Sequence, residues 1–310
     1  MSTLLSFPGQ GAQQVGMLHG FQQDAVTQNV LLEASDVLGE DALQLDTEQA
    51  LRSTRGVQLC LLIAGVASAR KLLVNQPAPE YSAGLSIGAY AAAVVAGAVD
   101  FEDALRLVSL RGHLMQEAYP QGYSMAAVQG VGLTEIEQLL MPFRDANQAI
   151  YLANINAENQ YVLAGKIELL ETFAGLLRQQ GMGRVSRLNV SVPSHCELLA
   201  DQAEQLLQAL LKVTIKPPRL RYISGSSARL VMQPEQIRDD LAFNMCRIVN
   251  WQGVLESAFE RGVRLHIQLA PGSVLANLGK RVMPEAINIA YQCNKLSTLH
   301  KLMEEEQVHQ

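Results

Sequence analysis

Short apolar runs alternate with helical patterns along most of this 310-residue chain, and the alternation limits the possible folds more than any other feature. The apolar runs have the length of buried strands and are Leu4–Phe7, Glu80–Gly84, Arg264–Leu269 and Ile287–Tyr291. The helical patterns cover Val57–Leu73, Ile87–Ala96, Phe101–Ala118 with Asp100 as N-cap, Glu197–Val213, Glu235–Arg261 with a break near Asn244, and Val274–Val282. Strands that alternate with helices predict an α/β protein with a parallel sheet.

The pattern changes near Gly122, where a second unit is predicted. Its strands are Ser124–Val128, Tyr161–Leu163 and Val185–Val192. Its helices are one that starts at Thr134, where Glu137 completes a capping box, and one over Ile167–Gln180 that ends at Gly181. The order β-α-β-α-β predicts a ferredoxin-like α+β subdomain inserted in a larger domain. We therefore expect a small subdomain over residues 123–189 and a large domain formed by residues 1–122 and 190–310.

Charge and cysteine usage exclude several classes of protein. The chain has 24 basic and 30 acidic residues, a net charge of −6, whereas general nucleic-acid binders need a basic excess. The longest apolar stretch, Leu59–Ala67, is shorter than the ~20 residues of a membrane helix, and no basic segment precedes Pro8 as in a signal peptide. Cys60, Cys196, Cys246 and Cys293 lie far apart, which is typical of unpaired thiols in the cytoplasm. No residue cluster has metal-ligand spacing, so no metal is expected.

The pentapeptide Gly84-Leu85-Ser86-Ile87-Gly88 fits the G-x-S-x-G nucleophile elbow and falls between a predicted strand and a predicted helix. A sharp strand-to-helix turn needs small neighbours, so glycines flank the serine on both sides. The turn would present the Ser86 hydroxyl at a helix N-terminus, where backbone N–H groups favour developing negative charge. The alternative is an ordinary glycine-rich turn with no chemistry.

A nucleophilic serine needs a base, and six histidines are available. His195 follows a predicted strand and precedes a predicted helix, where active-site residues of α/β proteins usually project, although a structural role fits it equally well. The other five have simpler interpretations as surface, loop or tail residues, or, for the mid-strand His266, as a buried core residue; they are His19, His113, His266, His300 and His309.

Arg111 interrupts an otherwise apolar helical pattern. It could form a surface ion pair with an acid such as Glu117. If its helix packs beside the elbow, the guanidinium could instead bind a substrate carboxylate in a bidentate manner, which lysine could not reproduce.

Five motifs in order along the chain resemble one known family. They are Phe7-Pro8-Gly9-Gln10-Gly11-Ala12-Gln13, Gly84-Leu85-Ser86-Ile87-Gly88, Arg111-Gly112-x-x-Met115-Gln116-Glu117-Ala118, Pro193-Ser194-His195-Cys196 and Ala270-Pro271-Gly272. Together they resemble the malonyl-CoA:acyl-carrier-protein transacylases over essentially the whole chain. The resemblance implies an α/β-hydrolase-like large domain with a ferredoxin-like insert.

The resemblance also implies roles for individual residues. Ser86 would be the nucleophile, His195 its base and Arg111 the ligand of the malonyl carboxylate. The backbone N–H groups of Gln10 and Ile87 would form the oxyanion hole. A main-chain carbonyl would orient the histidine, and we expect it from Asn250. The remaining expected pocket residues are Leu85, Met115 and Ser194, the last of which matches the malonyl-specific version of the motif. No bound cofactor is expected; malonyl-CoA or a related thioester would be the substrate and an acyl carrier protein the acceptor.

Two departures point to a subgroup. Leu85 and Ala89 replace the His and Glu usual around the nucleophile in the fatty-acid enzymes. This form, with Tyr119-Pro120-x-Gly122-Tyr123, most resembles the epsilon subunit of bacterial malonate decarboxylase, which would bring the other decarboxylase subunits as partners. Carrier proteins are typically acidic, so docking needs a basic patch, and the candidates are Arg184 with Arg187, or Lys212, Lys216, Arg219 and Arg221.

Three other functions stay open at this point. The nearest is the transacylase of fatty acid synthesis, with the same chemistry and another carrier. A serine esterase would need an acidic triad member between Ser86 and His195 and would give Arg111 no role. A non-catalytic assembly subunit would keep the fold as a docking surface.

Overall fold

A computed structural model describes residues 2–119 and 121–308, so Met1, Pro120, His309 and Gln310 lie outside the described residues. Its large sheet has six strands: β1 (Ser2–Phe7), β2 (Tyr81–Gly84), β7 (Arg221–Ile223), β8 (Leu230–Val231), β10 (Val263–Gln268) and β11 (Ile287–Ala290). The strand order is β11-β10-β1-β2-β7-β8, and every neighbouring pair is parallel except β7 and β8. The four predicted strands of the large domain are thereby confirmed.

The small sheet has the order β6-β3-β5-β4-β9 and carries two helices. Its elements are β3 (Tyr123–Gln129), α5 (Leu133–Asp145), β4 (Ile150–Ala157), β5 (Gln160–Lys166), α6 (Ile167–Gln179), β6 (Arg184–Arg187) and β9 (Val249–Asn250). The first six give the β-α-β-β-α-β arrangement of a ferredoxin-like subdomain. Strand β9 comes from the large domain and pairs in parallel with β4. The predicted subdomain type is correct, and its exact boundaries stay a prediction.

Two local predictions in the small subdomain are wrong, and one strand was missed. Strand β4 was not predicted, because two register shifts break its pairing with β5 and blur the alternation of buried and exposed positions. The strand predicted over Val185–Val192 ends at Arg187, after which the chain leaves the sheet. Helix α5 begins at Leu133 with Gly132 as N-cap, so Thr134 and Glu137 do not form a capping box.

The remaining helices cover both faces of the large sheet. They are α1 (Ala25–Leu38), α2 (Thr54–Leu72), α3 (Gly88–Val95), α4 (Phe101–Ala118), α7 (Ala200–Leu210), α8 (Pro234–Phe243), α9 (Trp251–Glu260), α10 (Val274–Val282) and α11 (Leu296–Val308). Glu235–Arg261 divides into α8 and α9 with a break that starts at Asn244, as predicted. The helix predicted from Glu197 begins with a 3-10 turn and becomes α-helical at Ala200.

Two apolar cores lie on opposite faces of the large sheet. Leu5 and Phe7 belong to the core that surrounds α2, whereas Leu4 belongs to the core around Trp251. This alternation along β1 is the period of two expected for a strand buried on both faces. Helix α2 is buried on nearly every side because α1, α3 and α4 pack against it. Among the described residues, no helix combines the length and apolarity required to cross a membrane.

Candidate active site

Ser86 occupies the turn between β2 and α3, with a φ of +57°. Left-handed backbone is uncommon for a serine and is enriched at active sites. The flanking glycines are required sterically, because a Cβ on Gly84 would lie 2.0 Å from the main-chain carbon of Gly88. A Cβ on Gly88 would lie 2.1 Å from the main-chain oxygen of Phe7. The predicted strand–turn–helix context of the elbow is confirmed.

His195 lies in the segment between β6 and α7 and has a φ of +65°. Its backbone N–H donates to the Met245 carbonyl at 2.7 Å, and its ring Nδ1 lies 2.7 Å from the Asn244 carbonyl oxygen. Because a carbonyl can only accept, Nδ1 carries the proton and Nε2 keeps its lone pair. Burial, followed by the positive charge of Arg111, lowers the pKa of His195 to about 4. The ring is therefore neutral at pH 7 and able to accept a proton.

The prediction that Asn250 orients the histidine is wrong. Asn250 pairs with Ile155 in the small sheet, and its side chain accepts from the Gly253 N–H at 3.0 Å as the N-cap of α9. The carbonyl that meets Nδ1 comes from Asn244 instead, because the chain turns toward His195 as soon as α8 ends.

Arg111 projects from α4 and is fully buried. Its Nη2 donates to Asn244 Oδ1 at 3.0 Å and reaches Ser86 Oγ at 3.5 Å. Within the described part of the chain, its Nε and Nη1 have no hydrogen-bond partner. Burial lowers the pKa of Arg111 to about 10, so the guanidinium still carries its charge at neutral pH. The surface ion pair considered for Arg111 does not form, since Glu117 lies 3.3 Å from His113 instead.

Ser86 and His195 line one cavity of about 580 Å³ between the two domains. Gln10, Leu85 and Ser194 also line it, as expected for the predicted pocket. Ser86 is 8% exposed and His195 3% exposed. No hydrogen bond joins their side chains among residues 2–119 and 121–308, and Ser86 Oγ accepts from Arg111. An arginine can only donate, so the Ser86 O–H stays free to donate to a base.

The positions of Gln10 and Ile87 in the backbone fit their expected role as oxyanion donors. Ile87 is the N-cap of α3, and Gln10 follows β1 on the cavity wall. In the described chain, neither backbone N–H has an acceptor within hydrogen-bonding range. Met115 is fully buried rather than placed on the cavity wall. Gln58 links it to the site, because Gln58 Nε2 lies 3.3 Å from both Met115 Sδ and Gln10 Oε1.

The other described histidines lie away from this cavity. His266 is fully buried between Ser6 Oγ at 2.7 Å and Asn288 Oδ1 at 2.9 Å, which confirms it as a hydrogen-bonded core residue. His19 contacts Asp46, and His300 contacts the Leu72 carbonyl. His195 also lines a second cavity of about 960 Å³ near α8, but Ser86 and Gln10 do not reach that space.

Comparison with known proteins decides the family. The model of the acyl transferase domain matches residues 6–307. The chain belongs to the acyl transferase domain family. The malonyl CoA-acyl carrier protein transacylase of Haemophilus influenzae is 35% identical over 286 residues, which cover 89% of this chain and 91% of that protein. The crystal structure of FabD from Acinetobacter baumannii superposes with a TM-score of 0.91 at 33% identity and covers 100% of this chain and 99% of its own. A malonyl-transacylase solved with a type II PKS acyl-carrier protein gives a TM-score of 0.87 at 33% identity, with 94% of both chains covered.

This acyltransferase contains a site residue, Asn244, that the sequence analysis did not single out for a role. Asn244 appeared there only as a helix break, although it contacts both His195 and Arg111. The signal available in the sequence was an asparagine at the end of a helix, which is too common to indicate a role in a site.

Proposed function

We propose that this acyltransferase moves a malonyl group from a CoA thioester to the phosphopantetheine thiol of an acyl carrier protein through a malonyl-Ser86 intermediate. The observation that carries the proposal is the buried guanidinium of Arg111, which has two unpartnered nitrogens and lies beside the Ser86 hydroxyl. A buried cation with unmet donors is costly unless a ligand supplies acceptors. A carboxylate on the acyl group would supply both the negative charge and the acceptors.

Acylation needs a base, an oxyanion site and a leaving thiol. The Ser86 O–H gives its proton to Nε2 of His195 as Oγ bonds to the thioester carbonyl carbon. The carbonyl oxygen becomes an oxyanion that accepts from the N–H groups of Gln10 and Ile87, and each such donor is worth roughly 3 kcal/mol. The carbon–sulfur bond then breaks, and the sulfur leaves with the proton held by His195.

Transfer to the carrier follows the same route in reverse. The carrier thiol gives its proton to His195, its sulfur attacks the malonyl ester, and Ser86 Oγ leaves with that proton. Atoms and charges balance without a metal or redox group. Arg111 holds the carboxylate throughout, which keeps the ester carbonyl beside the two N–H donors.

The carrier is proposed to dock beside β6, at the edge of the small sheet. Arg184 and Arg187 are exposed there, and the segment that follows them, residues 188–192, lines the cavity that contains Ser86. The other basic cluster is less suitable. Lys216 pairs with Asp100 at 2.9 Å and, with Arg219, borders a separate cavity that Ser86 does not line. The solved complex of a related transacylase with an acyl-carrier protein supports a carrier of this class.

The relatives favour the malonyl-CoA:acyl-carrier-protein transacylase of fatty acid synthesis over the decarboxylase subunit, because curated relatives from several bacteria are named as malonyl CoA-acyl carrier protein transacylases. One observation supports the epsilon subunit of malonate decarboxylase as a second candidate. Leu85 lines the cavity and Ala89 is buried at the two positions where the fatty-acid enzymes usually have His and Glu. Purified carriers of both kinds, offered to the malonyl-enzyme in competition, separate the two functions.

The test of the proposed function is malonylation of Ser86. Incubation with malonyl-CoA should give a malonyl adduct that peptide mass analysis places on Ser86, and added carrier protein should remove it. Ser86→Ala should abolish the adduct, whereas Ser227→Ala, a matched change at an exposed serine, should keep it. Rapid release of free malonate would indicate a hydrolase instead, and a folded wild-type protein without any adduct would indicate a scaffold.

A further inference from the structure

Asn244 connects the base of this site to its cation. It is the residue after α8 and is 3% exposed. Its main-chain carbonyl accepts from His195 Nδ1 at 2.7 Å, while its side-chain Oδ1 accepts from Arg111 Nη2 at 3.0 Å. One residue therefore fixes the orientation of both groups, through two different oxygens.

The amide nitrogen of Asn244 is also unmatched. Within the described residues, Nδ2 is buried and has no hydrogen-bond partner, as is the case for Nε and Nη1 of Arg111. Unmet buried donors of this kind are rare and call for an explanation, of which a missing ligand is one. A carboxylate offers about four acceptor positions on two oxygens, so one such group can accept from donors on both residues.

We infer that Asn244 determines specificity for a carboxylate-bearing acyl group, because Oδ1 positions Arg111 and Nδ2 donates to the carboxylate itself. This inference rests on the proposed function of Ser86 and Arg111. The main-chain carbonyl is present whatever the side chain, so His195 keeps its partner when the Asn244 side chain is changed. Changes in this side chain should alter the choice of acyl group more than the acylation chemistry.

The experiment compares Ser86 acylation from malonyl-CoA and from acetyl-CoA in single turnover. Asn244→Asp places a carboxylate against Arg111 and removes the amide donor. We expect its preference for malonyl over acetyl to fall by at least the roughly 10- to 100-fold that is typical of losing one hydrogen bond to a charged group. Asn244→Ser removes the amide without adding charge, so its preference should fall by less.

Asn75→Asp is the matched control, since it makes the same change at an exposed residue distant in sequence from Asn244. Its φ of +56° is tolerated by aspartate. A folded Asn244→Asp protein with the wild-type preference, or with equal losses for both substrates, would overturn the inference. If that variant does not fold, an unchanged preference in Asn244→Ser overturns it in the same way. Absence of malonylation in the wild-type protein would instead refute the proposed function, before any Asn244 variant is compared.

Discussion

Removing the guanidinium of Arg111 is the most direct test of the carboxylate site. Arg111→Met fills much of the same buried space without charge, so the packing of α4 should be retained. We expect malonyl transfer to fall sharply while acetyl transfer persists, because acetyl has no carboxylate to bind. Malonyl transfer by Arg111→Lys should lie between that of the wild-type protein and that of Arg111→Met, since lysine keeps the charge but loses the planar fork that matches a carboxylate.

The size of the effect follows from the two hydrogen bonds of a bidentate carboxylate–guanidinium pair, for which Arg111 keeps unpartnered donors. Hydrogen bonds to charged groups contribute about 1.5–3 kcal/mol each, so two of them give about 3–6 kcal/mol. At 1.4 kcal/mol per tenfold, the ratio of kcat/KM for malonyl-CoA to that for acetyl-CoA should drop roughly 100- to 10,000-fold. Competition between the two thioesters, read as the masses of the acyl-enzymes, measures this ratio directly. An unchanged ratio in a folded Arg111→Met protein would refute the role of Arg111.

Three further predictions concern the base, the elbow and the docking face. Because burial and Arg111 lower the pKa of His195 to about 4 in the free enzyme, kcat/KM for acylation should be level from about pH 8 down to about pH 5 and decrease as Nε2 becomes protonated. A midpoint in kcat/KM near the ordinary value of about 6.5 would contradict this. Gly88→Ala should abolish acylation and lower the thermal unfolding midpoint, because the new Cβ would lie 2.1 Å from the main chain of β1. The control is Gly175→Ala in α6, where the new Cβ has open space and should stabilise the folded protein by about 0.5–1 kcal/mol. Arg184→Glu with Arg187→Glu should raise the KM for the carrier protein and leave acylation from malonyl-CoA unchanged, and equal losses in both steps would argue against docking at β6.

The elbow could be predicted from sequence because its constraints are local. Gly84 and Gly88 are needed by atoms within a few residues or on the adjoining strand, so the spacing of the motif contains most of the geometry. The same reasoning explains the success at His266, where a polar residue in a mid-strand apolar run had to find partners on neighbouring strands. Steric and hydrogen-bonding requirements of this kind are visible in short segments.

Asn244 and Asn250 show where such reasoning fails. The partner of His195 is a main-chain carbonyl, and any residue type can supply one, so composition gives no indication of which residue does so. The choice depends on where α8 ends relative to a histidine 49 positions earlier. The sequence also does not predict whether Arg111 is buried, because an arginine in an amphipathic helix fits a surface ion pair as well as a ligand site.

The Asn244 carbonyl contacts His195 Nδ1, where an esterase would carry an acid, and the charge that acts on the ring is the cation of Arg111. An aspartate beside the histidine would stabilise the imidazolium formed when Ser86 loses its proton, whereas Arg111 destabilises it and lowers the pKa of His195. A carboxylate bound to Arg111 would cancel that charge and so remove the second of the two causes that lower the pKa of His195, leaving burial as the first. Under the proposed function, malonyl would therefore assist its own transfer, and an acyl group without a carboxylate would meet a weaker base. Selectivity would then appear in the rate of acylation as well as in binding.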